Sequence, residues 1–210
     1  MNRQIADYYR DKLRQHGPLP AGVDWRDVAS QQARFAQLHR LIAADPEASI
    51  ADLGCGYGAF ARFLRAAGHR GRYIGVDLAP EMIEAARFHT ADLADLDWAC
   101  GDTLPDDVDY AVASGVFNVR LDTPKEEWEA IVLATLDKLA ITRRGFAFNA
   151  LSLWSDPERR RPDLWYADPL AMADHCRSRY GRHLALLQDY GLYEFTLIIR
   201  KDVPIPRGDA

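Results

Sequence analysis

Residues Ala51–Phe60 read ADLGCGYGAF. Three glycines (Gly54, Gly56 and Gly58) fall at alternate positions, after an apolar run and before a helical pattern. This is a strand-to-helix turn whose main chain a ligand can touch, because glycine puts no side chain in the way. The spacing G-x-G-x-G is not the G-x-G-x-x-G of a dinucleotide loop, and no Lys-Ser or Lys-Thr follows as in a P-loop. Two carboxylates bracket the turn: Asp52 just before it, and Asp77 at the end of the next apolar segment. A carboxylate in the second place accepts hydrogen bonds from ribose hydroxyls. Asp52 favours a cation over a phosphate, since like charges repel. A nucleoside with an amino group and a positive sulfonium meets both demands.

Outward from the loop, strands and helices alternate. Residues 49–53, 72–77, 97–100, 109–115 and 145–151 read as strands. Phe60, Phe63, Leu64 and Ala67 give a helical face that Gly68 closes. Pro80 opens a second helix. Thr123-Pro124-Lys125-Glu126 reads as a capping box before the apolar face Trp128, Ile131, Val132, Leu136 and Leu139. Asp168-Pro169 starts another helix. The segments 183–189 and 193–201 flank Tyr190-Gly191-Leu192, and Tyr193, Phe195, Leu197 and Ile199 alternate on one face. That ending predicts an antiparallel pair at the edge of an otherwise parallel sheet. The class is α/β, doubly wound, with helices on both faces. Two helices come first, over residues 2–16 and about 27–43, separated by the break His16–Gly22. The expected organisation is a helical cap over 1–46, a main unit over 47–203 and a loose tail over 204–210, forming one structural domain.

With 210 residues the chain can bury a full core unaided. A net charge of −5 argues against a dedicated nucleic-acid binder. Cys55, Cys100 and Cys176 form no CxxC and are an odd count, which predicts free thiols and a reducing cytoplasm. Neither a signal peptide nor a membrane-length apolar run is legible, so no membrane partner is expected.

"ADLGCGYGAF", then "YIGVDLAPEMIEAA", then "ACGD" resembles the first three motifs of class I S-adenosylmethionine-dependent methyltransferases. The resemblance covers roughly residues 48–120, and its topology extends through the final hairpin. It implies a seven-stranded sheet of order 3-2-1-4-5-7-6 and S-adenosylmethionine as cofactor, with S-adenosylhomocysteine as product. It implies that Asp52, Gly54, Cys55, Gly56 and Gly58 meet the methionine part, that Asp77 binds ribose, and that Asp102 binds adenine beside Leu78 and Met82. Gly101, Thr103 and Ser114, at strand ends, complete the expected cofactor set. Family members often hold the methionine carboxylate with an N-terminal arginine, and Arg34 is the candidate. Cys55 and Cys100 read as packing residues rather than nucleophiles.

After the fourth strand, Ser114–Arg120 lacks the Asn/Asp-Pro-Pro-aromatic motif of enzymes that methylate nucleic-acid bases. Asn118 and Arg120 are candidates for the substrate side. The stretch Phe148–Pro169 holds Trp154, Trp165 and Tyr166 and the run Arg159-Arg160-Arg161. Trp154 and Tyr166 are expected to wall a pocket and the arginines to attract an anion, against the plainer reading of a hydrophobic plug and a solvated basic face. Tyr8 or Tyr9 could close over the site, with core packing as the plainer role. None of the six histidines sits at a predicted strand end facing the cleft, and no metal-ligand spacing stands out. The expectation is O-methylation of a small anionic metabolite, driven by positioning without a general base, in a monomer or homodimer. Other readings are N-methylation of a small molecule, a protein or RNA methyltransferase, a cofactor-binding module without turnover, and a nicotinamide-dependent oxidoreductase, which the glycine spacing opposes.

Overall fold

The computed structural model describes residues 3–201 and 203. The expected tail over 204–210 lies outside the described residues.

Two helices lead, α1 (Arg3–His16) and α2 (Val28–His39), joined through a 3-10 turn at Pro20–Val23. Asp27 caps α2 by accepting from the Ser30 amide at 2.7 Å. The helix stops four residues short of the predicted end. Residues 40–44 continue as turns that still bury Leu41 and Ile42.

The alternating part follows as β1 (Ile50–Leu53), α3 (Ala59–Ala66), β2 (Tyr73–Asp77), α4 (Pro80–His89), β3 (Leu96–Cys100) and β4 (Tyr110–Ala113). It ends with α5 (Lys125–Leu139), β5 (Gly145–Leu151), α6 (Pro169–Tyr180), β6 (Leu184–Leu187) and β7 (Glu194–Arg200). The sheet order is β3-β2-β1-β4-β5-β7-β6, the order the family resemblance implies. The first five strands pair in parallel, and β7 runs antiparallel to both β5 and β6.

Apolar side chains of α2 and α3 (Phe35, Leu38, Phe60, Leu64) cover one face of the sheet. Those of α5 and α6 (Trp128, Val132, Leu136, Met172, Cys176) cover the other. Helix α4 leans on β2 and β3. Central strands are buried on both faces, as parallel strands between helix layers must be.

Two sequence expectations are corrected here. The capping box before α5 does not form. Pro124 takes an extended conformation (ψ 145°) just outside the helix, which leaves Thr123 one residue too far back to cap it. The predicted alternation in the last strand holds for Phe195, Leu197 and Ile199, but Tyr193 precedes the strand and is exposed. The opposite positions Glu194, Thr196 and Ile198 are also buried, because α2 packs against β7.

Strand order reverses between β1 and β4. In open α/β sheets a ligand crevice lies beyond the strand ends at such a point.

Candidate active site

The glycine turn hangs from the end of β2. The amides of Gly54 and Cys55 donate to the Val76 carbonyl at 2.7 and 3.2 Å. Gly54 has φ 75°, and a Cβ there would lie 2.5 Å from Cγ2 of Val116. A side chain at this position is excluded by both backbone conformation and space.

Asp77 ties the turn to the start of α4. Its Oδ2 accepts from the Gly56 amide at 2.9 Å and its Oδ1 from the Ala79 amide at 3.0 Å. Each oxygen keeps a lone pair for a further donor. Burial pushes the Asp77 carboxyl above its usual range, while the Ala79, Gly56 and Leu78 amides pull it back.

Asp52, on β1, is 1% exposed. Its Oδ2 accepts from the Tyr73 hydroxyl at 2.6 Å. Its Oδ1 is buried and has no hydrogen-bond partner. Burial pushes the carboxyl up to about 7. The Tyr73 hydrogen bond opposes this and the nearby Asp77 charge adds to it. A buried carboxylate with one unmet oxygen is costly, and a cationic donor in the adjoining space would complete it.

That space is a cleft enclosing about 830 Å³ with its open mouth included. Its floor is the turn together with Asp52, Asp77, Leu78, Met82 and Gly101. Ser114, Gly115 and Val116 form the wall at the end of β4. The roof is the N-terminal segment, with Ile5, Ala6 and Tyr9 from α1, then Val23 and Trp25. Asp24 latches this roof by accepting from the Tyr8 hydroxyl at 2.8 Å and pairing with Lys12 at 2.8 Å. Trp25 wedges against Gly115, where a Cβ would lie 2.4 Å from the indole ring.

Three comparisons bear on this site. The sequence model of a methyltransferase domain matches residues 51–138, from β1 to the last turn of α5. The protein "Putative methyltransferase Rv1506c" of Mycobacterium tuberculosis is 51% identical over 160 residues, which span 76% of this chain and 96% of the relative. This chain belongs to the class I S-adenosylmethionine-dependent methyltransferases. Solved structures of similar fold include magnesium protoporphyrin IX methyltransferase from Synechocystis with bound S-adenosylhomocysteine. It shares a TM-score of 0.66 and 16% identity, over 96% of each chain. The N-methyltransferase NodS from Bradyrhizobium japonicum, also holding S-adenosylhomocysteine, gives a TM-score of 0.67 at 17% identity, over 94% of this chain and 98% of that one.

Of the expected cofactor residues of this methyltransferase, Asp52, Gly54, Cys55, Gly56, Asp77, Leu78, Met82, Gly101 and Ser114 all reach the cavity. Gly58 lies beneath it as the N-cap of α3, packed on Trp98. Thr103 is exposed away from the wall. The Asp102 carboxylate is paired with Lys138 of α5, which holds it below its usual range, and it is not on the wall.

Arg34 is not on the wall either. Its guanidinium grips Glu194 of β7 through two hydrogen bonds of 2.7 and 2.6 Å, donates to the Ser30 carbonyl at 2.8 Å, and stacks on Trp25 at 3.9 Å. A carboxylate in the cavity would therefore have to compete with a buried protein carboxylate for it.

None of the substrate candidates lines the cavity. Asn118 is buried, its Oδ1 accepting from the Leu151 amide and its carbonyl from the Trp165 amide. Arg120 binds the carbonyls of Thr123 and Pro162. Trp154 is 55% exposed, and the Tyr166 hydroxyl accepts from the Arg161 amide. The arginine run is engaged internally. Arg159 pairs with Asp156, Arg160 donates to the Leu153 and Ser155 carbonyls, and Arg161 pairs with Asp163. Among the described residues, no lysine, arginine or histidine lines the cavity.

Sequence reading passed over Gln31, Val23 and Trp25, and it marked Asn149 only as one of the strand-end residues. Gln31 lines the cavity and its Oε1 accepts from the Tyr57 hydroxyl at 3.2 Å, which leaves its amide hydrogens for another acceptor. Asn149, at the end of β5, accepts from the Gly115 amide at 2.8 Å and donates to Ser114 Oγ at 3.3 Å, fixing the wall beside β4. Only its place at a strand end signalled it.

Proposed function

We propose that this methyltransferase moves the methyl group of S-adenosylmethionine onto a small acceptor inside the roofed cavity and releases S-adenosylhomocysteine. The observation that carries the reading is the unmet Oδ1 of buried Asp52, beside a glycine turn and a carboxylate placed for ribose. When bound, the cofactor supplies a methyl group activated by a sulfonium. Asp52 accepts from its ammonium, Asp77 from its ribose hydroxyls, and the Gln31 amide donates to its carboxylate in place of Arg34. Leu78 and Met82 flank the adenine.

The N-terminal roof over the cavity favours a small acceptor over a protein or RNA, and the negative net charge points the same way. No helix among the described residues is long and apolar enough to cross a membrane. The chain's part in catalysis is to position the acceptor and exclude water. Tyr9 is no base: burial pushes its phenol far above the usual value, so it stays a neutral hydroxyl at working pH.

Asp52 supplies the test. Its folded-state pKa lies above the ordinary value. In the unliganded protein its contribution to stability is thus present at low pH and lost as pH rises from about 4 through 7. A bound ammonium lowers that pKa, so binding S-adenosylhomocysteine at pH 7 should release about half a proton from this site. Calorimetry in buffers of different ionisation enthalpy measures it. No binding would refute the function. Binding without proton release, or the same release from Asp52→Asn, would refute the role of Asp52. Turnover should show kcat/KM for the cofactor falling below about pH 7 while kcat stays flat.

A further inference from the structure

We propose that the methyl acceptor is an uncharged molecule with a flat apolar body, seated against Trp25 at the β4 side of the cavity. The proposal deepens the methyltransferase reading and rests on it.

The cavity divides by chemistry. The side toward β1, β2 and β3 holds both of its carboxylates, Asp52 and Asp77, and the glycine turn. A ligand held by Asp77 and the turn occupies that side. What remains is the compartment between the roof and the end of β4, formed by Tyr9, Val23, Trp25, Ser114, Gly115 and Val116. None of these side chains is charged at neutral pH. Their polar groups are the Tyr9 and Ser114 hydroxyls and the Trp25 indole N–H.

Among the described residues, the charged side chains around this compartment are matched. Arg34 holds Glu194 and covers Trp25. Asp24 holds Lys12 and Tyr8. Arg161 holds Asp163. Among the described residues, no lysine, arginine or histidine lines this compartment to replace the water that an anionic acceptor would lose, while Asp77 repels it. The proposal departs from the sequence expectation of an anionic acceptor, which rested on the missing base and on arginines that are engaged within their own loop.

Shape points to the same class. Gly115 has φ 72°, and the indole of Trp25 lies where its Cβ would be. The ring is thereby pressed to the strand end, and Arg34 stacked on it fixes its orientation. A fixed indole is a platform for an aromatic or flat apolar partner. Asn149 holds the Gly115 amide and Ser114 Oγ from behind, so this wall is as rigid as the platform.

The test uses the whole chain saturated with S-adenosylhomocysteine and two probes of like size, 2-naphthol and 2-naphthoate. Calorimetry at pH 7 should show 2-naphthol binding at least tenfold more tightly than 2-naphthoate. Trp25→Ala should weaken 2-naphthol by about tenfold or more, with Trp25→Phe recovering much of the loss. A thermal melt of each variant shows whether it is folded, and Trp25→Phe carries the comparison if Trp25→Ala is not. Equal or tighter binding of 2-naphthoate would overturn the uncharged class. Absence of binding by either probe would overturn the apolar compartment, and unchanged 2-naphthol affinity in both variants would overturn the platform. If S-adenosylhomocysteine itself does not bind, the methyltransferase reading fails first, and the two failures are told apart.

Discussion

Arg34→Ala should lower the free energy of unfolding by about 3–5 kcal/mol, the cost of leaving a buried charge without its partner. Glu194 is 1% exposed and receives both of its strong hydrogen bonds from Arg34. The cost therefore comes less from a lost attraction than from a carboxylate stranded under α2, where water cannot reach it. The loss also uncovers one face of Trp25 and loosens the cavity roof. Arg34→Lys should recover little, because an ammonium cannot reproduce the paired contact. The double variant Arg34→Met, Glu194→Leu should recover most of the stability, since apolar residues often replace a buried pair without loss. Denaturant unfolding monitored by circular dichroism measures all three. A loss below about 1 kcal/mol for Arg34→Ala would show the pair to be solvated like a surface bridge.

Asp77→Ala should weaken S-adenosylhomocysteine binding about 100-fold, or roughly 3 kcal/mol, on the scale of hydrogen bonds made to a charged group. Two effects combine. The ribose hydroxyls lose their acceptor, and the Gly56 and Ala79 amides lose the carboxylate that holds the turn to α4. Asp77→Asn separates them, because its amide oxygen can keep one backbone bond while the charge is gone. An intermediate loss, about tenfold, is expected. Calorimetric titration of the three proteins is the measurement, and unchanged affinity in Asp77→Ala would refute the ribose assignment.

Much of the frame was legible because its signals are local. The glycine turn, Pro80, Gly68 and Asp168 mark element boundaries within a few residues of themselves, and Asp168 does cap α6. The last hairpin was legible from alternation, and β5 was read to the residue. The part of the site carried by strand ends was legible for the same reason, from Asp52 through Ser114. What failed depends on pairs distant in sequence. Nothing around Arg34 announces Glu194, and nothing around Asp102 announces Lys138 on α5. The arginine run looked available because its partners are mostly backbone carbonyls and neighbouring aspartates of its own loop, and sequence cannot show which carbonyls turn inward. Gln31 was missed because a cap helix shows its core periodicity, not which few residues overhang a cleft, and Trp25 because it sits in the connection before α2, where no periodicity exists.

The link between α2 and β7 also sets an order of events during synthesis. Arg34 and Glu194 are 160 positions apart. At about 5–20 residues per second, roughly 8–30 s pass between the making of one and the other. Through that interval α2 can dock on α3, but it lacks the ion pair that ties it to β7. The buried tie between α2 and the sheet is thus completed late, after the hairpin β6–β7 has joined. Abundant cofactor protects the finished chain by mass action, as a stabilisation separate from that late tie.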